Sequence, residues 1–296
     1  MRRKWMVAIT FIILILALGV DFIIIRHRAI KRFAVYEAKA KTENTSYGRI
    51  SYIDEGKGEP VLICHGICGG YDQGFDVLKD KTDHYRVIAP SRFGYPGSDM
   101  PEDASIDMQV EAFAELLNKL RIDKTYVLGT SAGGTVAIRF ALVYPERCKG
   151  LILYCSGYPE FEKPTDPAGY AGPPAAVCND FCMWMISPLF EPIMGMESST
   201  VNEILPMKDR KAGIIFDGAV TNTDKTNNYS NYNMHRLSVP VLMIHSEDDK
   251  LAKYESAEKW SKELNDCTFV SFPDGGHIMK GHEEEVKKAL LEFTEE

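Results

Sequence analysis

The hydrophobic pattern changes twice along the chain. It opens with WMVAITFIILILALGVDFIII, residues 5–25, where only Thr10 and Asp21 are polar. No polar face repeats within this run, which sets it apart from an amphipathic core helix. At about 1.5 Å per residue it would reach about 31 Å, close to the ~30 Å hydrocarbon thickness of a bilayer. Beyond residue 46, short apolar runs alternate with stretches of helical period. GRISYID (48–54) alternates as a half-buried strand does, and VLICH (61–65), YRVIAP (85–90), TYVLG (125–129), GLILYCS (150–156), VPVLMIHS (239–246) and CTFVSF (267–272) read as buried strands. Between them, Ile106, Val110, Phe113, Leu117 and Leu120 mark one amphipathic helix, and residues 132–144, 252–264 and 282–293 mark three more. Such alternation predicts an α/β fold: a mostly parallel central sheet flanked by helices.

The second change spans residues 157–238. Eight prolines fall there, and NDFCMWMISPLFEPIMGM (179–196) is dense in large apolar side chains. The segment reads as a helical lid inserted between two core strands. Most of its apolar groups would fill its own small core, and a minority would face the site. The organisation is thus a tail (1–4), a transmembrane anchor (5–25), a basic juxtamembrane helix or linker (26–46), a core (47–156 and 239–296) and the lid (157–238).

A cleaved signal peptide is the rival reading of the first segment, since Ala17 and Gly19 are small residues two apart. The run resumes with Phe22-Ile23-Ile24-Ile25, however, which a mature amino terminus would leave exposed, so an uncleaved single-pass membrane anchor is expected. Basic residues at both ends leave the side of the membrane open. Removal of residues 1–32 is expected to release a soluble, active body.

Charge sharpens the picture. The net charge of the 296 residues is −8, yet residues 1–32 hold seven Lys/Arg and one acid, so the body carries 27 basic and 41 acidic side chains. An acidic body argues against a nucleic-acid partner. Seven scattered cysteines form no Cys-x-x-Cys pair and no zinc spacing, and read as packing thiols.

The chemistry concentrates where strand TYVLG meets a helix, at Gly129-Thr130-Ser131-Ala132-Gly133. A sharp strand-to-helix turn crowds the backbone, and glycines on either side of the serine would relieve it. The turn would raise Ser131 above the carboxyl ends of the strands, at the positive end of the next helix. A serine nucleophile needs a base, and the base needs an orienting acid. IHSEDDKLA (244–252) and FPDGGHIM (272–279) each follow a strand and supply Asp249 and His277, in the chain order Ser, Asp, His. Asp248, Glu247, Glu160 and Glu162 are the rival acids, and His282 is the rival base; His65 and His245 end strands and read as structural. HGICGG (65–70) would furnish an oxyanion donor, the Ile67 N–H, alongside the Ala132 N–H.

On these motifs the chain resembles the α/β-hydrolase fold superfamily, in the lid-bearing branch of esterases, lipases and meta-cleavage hydrolases. The resemblance covers about residues 47–294. RISYIDEGKGEPVLICHG resembles the branch's entry segment and APSRFGYPGSD its Asp-x-x-Gly-x-Gly-x-Ser loop, with Ser91 in place of Asp; Ser246 stands where glycine is usual. The resemblance implies neither metal nor organic cofactor. It implies a serine hydrolase acting on a small-molecule carboxylic ester of moderately apolar character, and the membrane anchor with the apolar lid points to lipid-derived esters of the monoacylglycerol or lysolipid type. Aminopeptidase or C–C bond hydrolase chemistry on the same triad is an alternative, and a non-catalytic membrane-tethered binding protein is another. Dehalogenases and epoxide hydrolases resemble this fold but carry Asp at the elbow.

Overall fold

A computed structural model describes residues 2–295. Eight strands form one sheet: β1 (Lys41–Thr45), β2 (Gly48–Glu55), β3 (Glu59–Cys64), β4 (Tyr85–Pro90), β5 (Thr125–Thr130), β6 (Cys148–Tyr154), β7 (Val241–Ser246) and β8 (Cys267–Phe272). Their spatial order is β1-β2-β4-β3-β5-β6-β7-β8. From β4 to β8 all neighbours are parallel, whereas β2 runs antiparallel to both β1 and β4.

Consecutive residues of the central strands feed opposite cores. Leu62, Val127, Leu151 and Met243 join one cluster, while Ile63, Leu128, Ile152 and Leu242 join the other. Both faces are therefore covered, which is why these strands read as continuous apolar runs. On one face lie α3 (Ile106–Lys119), whose Ser105 hydroxyl caps the Met108 N–H, and α4 (Gly133–Val143). α2 (Tyr71–Asp76) lies with the other cluster. α10 (Tyr254–Glu263) and α11 (Glu283–Glu295) complete the layers.

The sheet departs from the expected pattern at its first edge. KTENT is polar at every position and gives no strand signal, but it pairs Lys41–Thr45 with Tyr52–Gly48 as an antiparallel hairpin. A largely exposed edge strand needs no apolar alternation, so its partner defines it.

Between β6 and β7 the chain breaks into short helices: α5 (Asp180–Ile186), α6 (Phe190–Met194), α7 (Val201–Ile204), α8 (Lys211–Phe216) and α9 (Asp224–Asn227). Cys178, Met183, Phe190, Val201, Ile204, Leu205, Met207 and Ile214 pack into a third cluster, the small core expected of this segment.

The first helix, α1, is longer than its apolar run and spans Arg2–Glu37. Its most apolar window has a mean hydropathy of 2.9 and none of it is buried, so it is long and apolar enough to cross a membrane. The rest is not a free linker. Ala29 and Phe33 are buried, and with Phe22, Ile25 and Tyr36 they recur every three or four residues on one face. Ala29 enters the core of the inserted segment, and Phe33 stacks on Tyr71 of α2 at 5.8 Å. Arg32 pairs with Asp72 at 3.1 Å and also with Asp76, to which Tyr36 donates at 2.5 Å.

A cut after residue 32 would thus remove part of the body, which revises the expectation from sequence. Chains starting at residue 21 and at residue 33 should differ in thermal midpoint. The shorter one should be less stable by roughly 1.5–3 kcal/mol for the charged contacts of Arg32 alone. Equal midpoints would show that the docked half of α1 contributes nothing.

Candidate active site

The turn after β5 is built by exclusion. A Cβ on Gly133 would lie 1.9 Å from the Cys64 carbonyl oxygen, and one on Gly129 would lie 2.7 Å from both Ala137 Cβ and Gly134 Cα. Only glycine lets α4 start this close to β3 and β5. The turn itself holds Ser131 at φ 51°, in the left-handed region. For a residue with a side chain this costs about 1–2 kcal/mol. The Ser131 N–H donates to the Tyr154 carbonyl at 3.0 Å and the Ser131 carbonyl accepts from Gly134 at 2.9 Å, which fix the strained residue between β6 and α4.

The structure brings three of the sequence-derived residues together. His277 Nε2 lies 2.9 Å from Ser131 Oγ, and His277 Nδ1 lies 2.9 Å from Asp249 Oδ2 and 3.0 Å from Oδ1. Asp249 is separated from β7 by two residues and His277 sits in a helical turn, Gly276–Ile278, after β8. With a proton on Nδ1 held by the carboxylate, Nε2 is left to accept from the serine hydroxyl.

The rival residues have other occupations. Asp248 Oδ1 accepts the Gly276 N–H at 2.8 Å and so anchors the histidine turn. Glu160 faces solvent, 4.0 Å from Lys253, and His282 pairs with Asp274 at 2.8 Å while stacking on Phe272. Ser246, at the position where glycine was expected, donates to the Gly276 carbonyl at 2.5 Å. Ser91 accepts the Tyr71 N–H at 3.0 Å.

His245 has a larger part than a strand-end residue would. Its Nε2 lies 3.2 Å from Asp249 Oδ2 and 3.0 Å from the Ala252 carbonyl. Asp249 also accepts the N–H groups of Leu251 (2.8 Å) and Ala252 (3.0 Å). Burial works against the carboxylate, but the donors from His245, His277 and Ala252 outweigh it and hold the Asp249 pKa far below the usual range. For His277, burial opposes the cation, yet the Cys155 sulfur and the Asp249 carboxylate prevail and raise its pKa above the ordinary imidazole value. The four-residue spacing of His245 and Asp249 was the available sequence signal.

The loop after β3 lies against the serine: a Cβ on Gly66 would be 3.4 Å from Ser131 Cβ. Its amides are sorted. Gly66 N–H donates to Gln73 Oε1 at 2.8 Å and Cys68 N–H to the Tyr95 hydroxyl at 3.2 Å. Among the described residues, the N–H groups of Ile67 and Ala132 donate to no protein acceptor. They remain available for an oxyanion.

Two buried arginines shape this loop from behind, and sequence reading found neither network. Arg92 donates to the His65 carbonyl (3.0 Å) and the Gly66 carbonyl (3.2 Å) while pairing with Asp217, which also accepts from Tyr95 at 2.5 Å. Arg210 donates to the carbonyls of Cys68 and Gly69 and pairs with Asp72 at 2.7 Å. Asp217 and Arg210 belong to the inserted segment, so its ion pairs set the loop's path. Burial, followed by the charge of Arg92, pushes His65 well below its ordinary pKa. A neutral ring fits its contacts: Nδ1–H donates to the Gly66 carbonyl (2.7 Å) and Nε2 accepts the Arg92 N–H (3.0 Å).

The profile of the α/β hydrolase fold family matches residues 59–176, which hold β3 through β6 and the serine turn. The strand order and the solved structures agree with it. The chain has the α/β-hydrolase fold. A thermophilic esterase from Thermogutta terrifontis superposes with a TM-score of 0.67 at 23% identity, covering 86% of this chain and 98% of the esterase. The chain is 29% identical over 121 residues to Haloalkane dehalogenase 2 of Mycobacterium tuberculosis (strain ATCC 25618 / H37Rv), a match spanning 40% of this chain and 42% of the dehalogenase. It is 35% identical over 116 residues to the 2-hydroxy-6-oxo-6-phenylhexa-2,4-dienoate hydrolase of Burkholderia cepacia, spanning 37% of this chain and 40% of that enzyme. The relatives are hydrolases of different chemistries on one fold.

Two tests follow from the geometry. Gly133→Ala should abolish labelling of Ser131 by an active-site phosphonate even in protein that remains folded by circular dichroism, because the methyl group cannot coexist with the Cys64 carbonyl. A freely labelled variant would refute the close-approach argument. The rate of hydrolysis should rise with pH as His277 loses its proton, with a midpoint above about 6.5. Asp249→Asn should move that midpoint down and cut the rate on the order of 10⁴-fold, whereas Asp248→Asn should keep the midpoint.

Proposed function

We propose that the protein is a membrane-tethered serine hydrolase that cleaves a carboxylic ester with an apolar acyl or alcohol part. The observation that carries this reading is the continuous chain from Ser131 Oγ to His277 Nε2 (2.9 Å) and from His277 Nδ1 to Asp249 (2.9 Å). A nucleophile at the elbow, a base and an acid are the requirements of acyl transfer. Serine at the elbow favours acyl-enzyme chemistry over displacement by a carboxylate.

In this reading His277 Nε2 takes the hydroxyl proton as Ser131 Oγ attacks the ester carbonyl. The N–H groups of Ile67 and Ala132 stabilise the oxyanion that forms. Collapse breaks the bond to the alcohol, which leaves with the proton from His277, and an acyl-serine remains. Water then attacks the acyl group, giving its proton to the same nitrogen, and the carboxylic acid departs as Ser131 is restored. Asp249 holds the imidazole tautomer and balances its charge in both halves.

The apolar reach of α1, exposed from Trp5 to Ile24 along most of its length, supports the tether. A chain held at a bilayer meets esters that partition there, which supports lipid-derived substrates such as monoacylglycerols or lysolipids. Acyl-ester work requires the hydroxyl of Ser131 to react. A fluorophosphonate should therefore label the wild-type chain and fail to label Ser131→Ala. Folded wild-type protein that resists labelling at pH 8 would leave a tethered binding protein as the better reading. Hydrolysis of p-nitrophenyl esters should improve with acyl length from acetate upward, and a preference for the acetate would remove the apolar-substrate assignment.

A further inference from the structure

The inserted segment exposes four large apolar side chains at every fourth position: Phe181 (51% exposed), Met185 (54%), Leu189 (51%) and Ile193 (61%). They run along α5, the turn Ser187–Leu189 and α6. A continuous stripe of this kind is unusual on a surface that meets only water, and it marks a place of contact.

Its position relative to α1 identifies the contact. Phe22 meets Phe181 edge-on, with ring centroids 5.5 Å apart, and meets Trp184 at 5.4 Å. The Trp184 indole N–H donates to Asp21 at 2.9 Å, and Arg26 pairs with Asp180 at 2.7 Å. These contacts clamp the start of α5 to residues 21–26, the last turn of the apolar run. They also account for the one acid in that run, whose carboxylate is satisfied by the inserted segment. Where α1 leaves the hydrocarbon, therefore, the stripe begins. Trp184 has the amphipathic ring found at that depth, and the exposed Arg28 and Lys31 follow on the next turn, where anionic headgroups lie.

We propose that Phe181, Met185, Leu189 and Ile193 lie in the boundary between headgroups and acyl chains of the bilayer that holds α1. The inserted segment is thus a second membrane contact. The proposal rests on the reading of α1 as an anchor and is independent of catalysis. α6 is capped by Gly195, whose Cα lies 3.2 Å from the position of a Cβ on Gly276, next to His277. The bilayer contact therefore borders the histidine turn.

The test uses the full chain, with Ser131→Ala to silence catalysis, in vesicles of phosphatidylcholine and phosphatidylglycerol. The photoreactive residue p-benzoylphenylalanine replaces Leu189 or Ile193. It replaces Leu14 as the anchor control, and Lys124, at the amino end of β5, as the water-facing control. After irradiation, intact mass spectrometry should find phospholipid adducts at 14, 189 and 193 and none at 124. Lipid adducts at 14 with none at 189 or 193 would overturn the proposal while leaving the anchor in place. Crosslinks from 189 or 193 to a second copy, without lipid, would make the stripe an oligomer face and overturn it equally. No adduct at 14 would remove the anchor and the proposal with it. Fluorophosphonate labelling of the unmodified chain reports separately on the serine hydrolase reading.

Discussion

The arrangement depends on one close approach, that of Gly133 to the carbonyl of Cys64. It allows the first turn of α4 to press against the end of β3, so that the serine is pushed outward instead of continuing the strand. Ser131 stands in the left-handed region because the carbonyl of Tyr154 and the N–H of Gly134 fix its backbone on both sides. The same approach brings the loop after β3 beside the hydroxyl, with two amides left unpaired. The serine hydroxyl, the two unpaired amides and the helix terminus therefore arise from a single packing decision, and the histidine and acid need only be delivered by the ends of β8 and β7.

Delivery is achieved by dense local bonding. Asp249 accepts from two backbone amides and from His277, with His245 Nε2 3.2 Å away, and Asp248 and Ser246 secure the turn that bears His277. Behind the oxyanion loop, Arg92 and Arg210 carry full charge into an interior where an unpaired cation would be prohibitive. Each is paired with a carboxylate and shares its remaining donors with loop carbonyls. A buried pair of this kind adds little net stability, but losing one partner costs about 3–5 kcal/mol. Its value here is geometric: the loop can follow only the path those donors define.

Much of this was legible in the sequence because it is written in local patterns. Apolar runs gave the buried strands, and the Gly129-x-Ser131-x-Gly133 spacing after one of them gave the turn. Residues following β7 and β8 gave Asp249 and His277. What escaped detection lacked a local signal. The strand Lys41–Thr45 is polar throughout and exists because β2 offers it hydrogen bonds. Asp217 and Arg210 sit in a segment without clear periodicity, more than a hundred residues from the loop they hold. The docked half of α1 reads as a basic juxtamembrane helix or linker, and nothing along the chain reveals that Asp72 and the inserted segment await it. Long-range ion pairs are set by topology, which hydrophobic period alone does not encode.

The clamp between α1 and α5 also limits how the insertion can move. With Phe22, Asp21 and Arg26 holding α5, and Ala29 within the third core, the front of the insertion cannot swing away as one flap without leaving α1. The side of the insertion fastened to α1 is thus its fixed post.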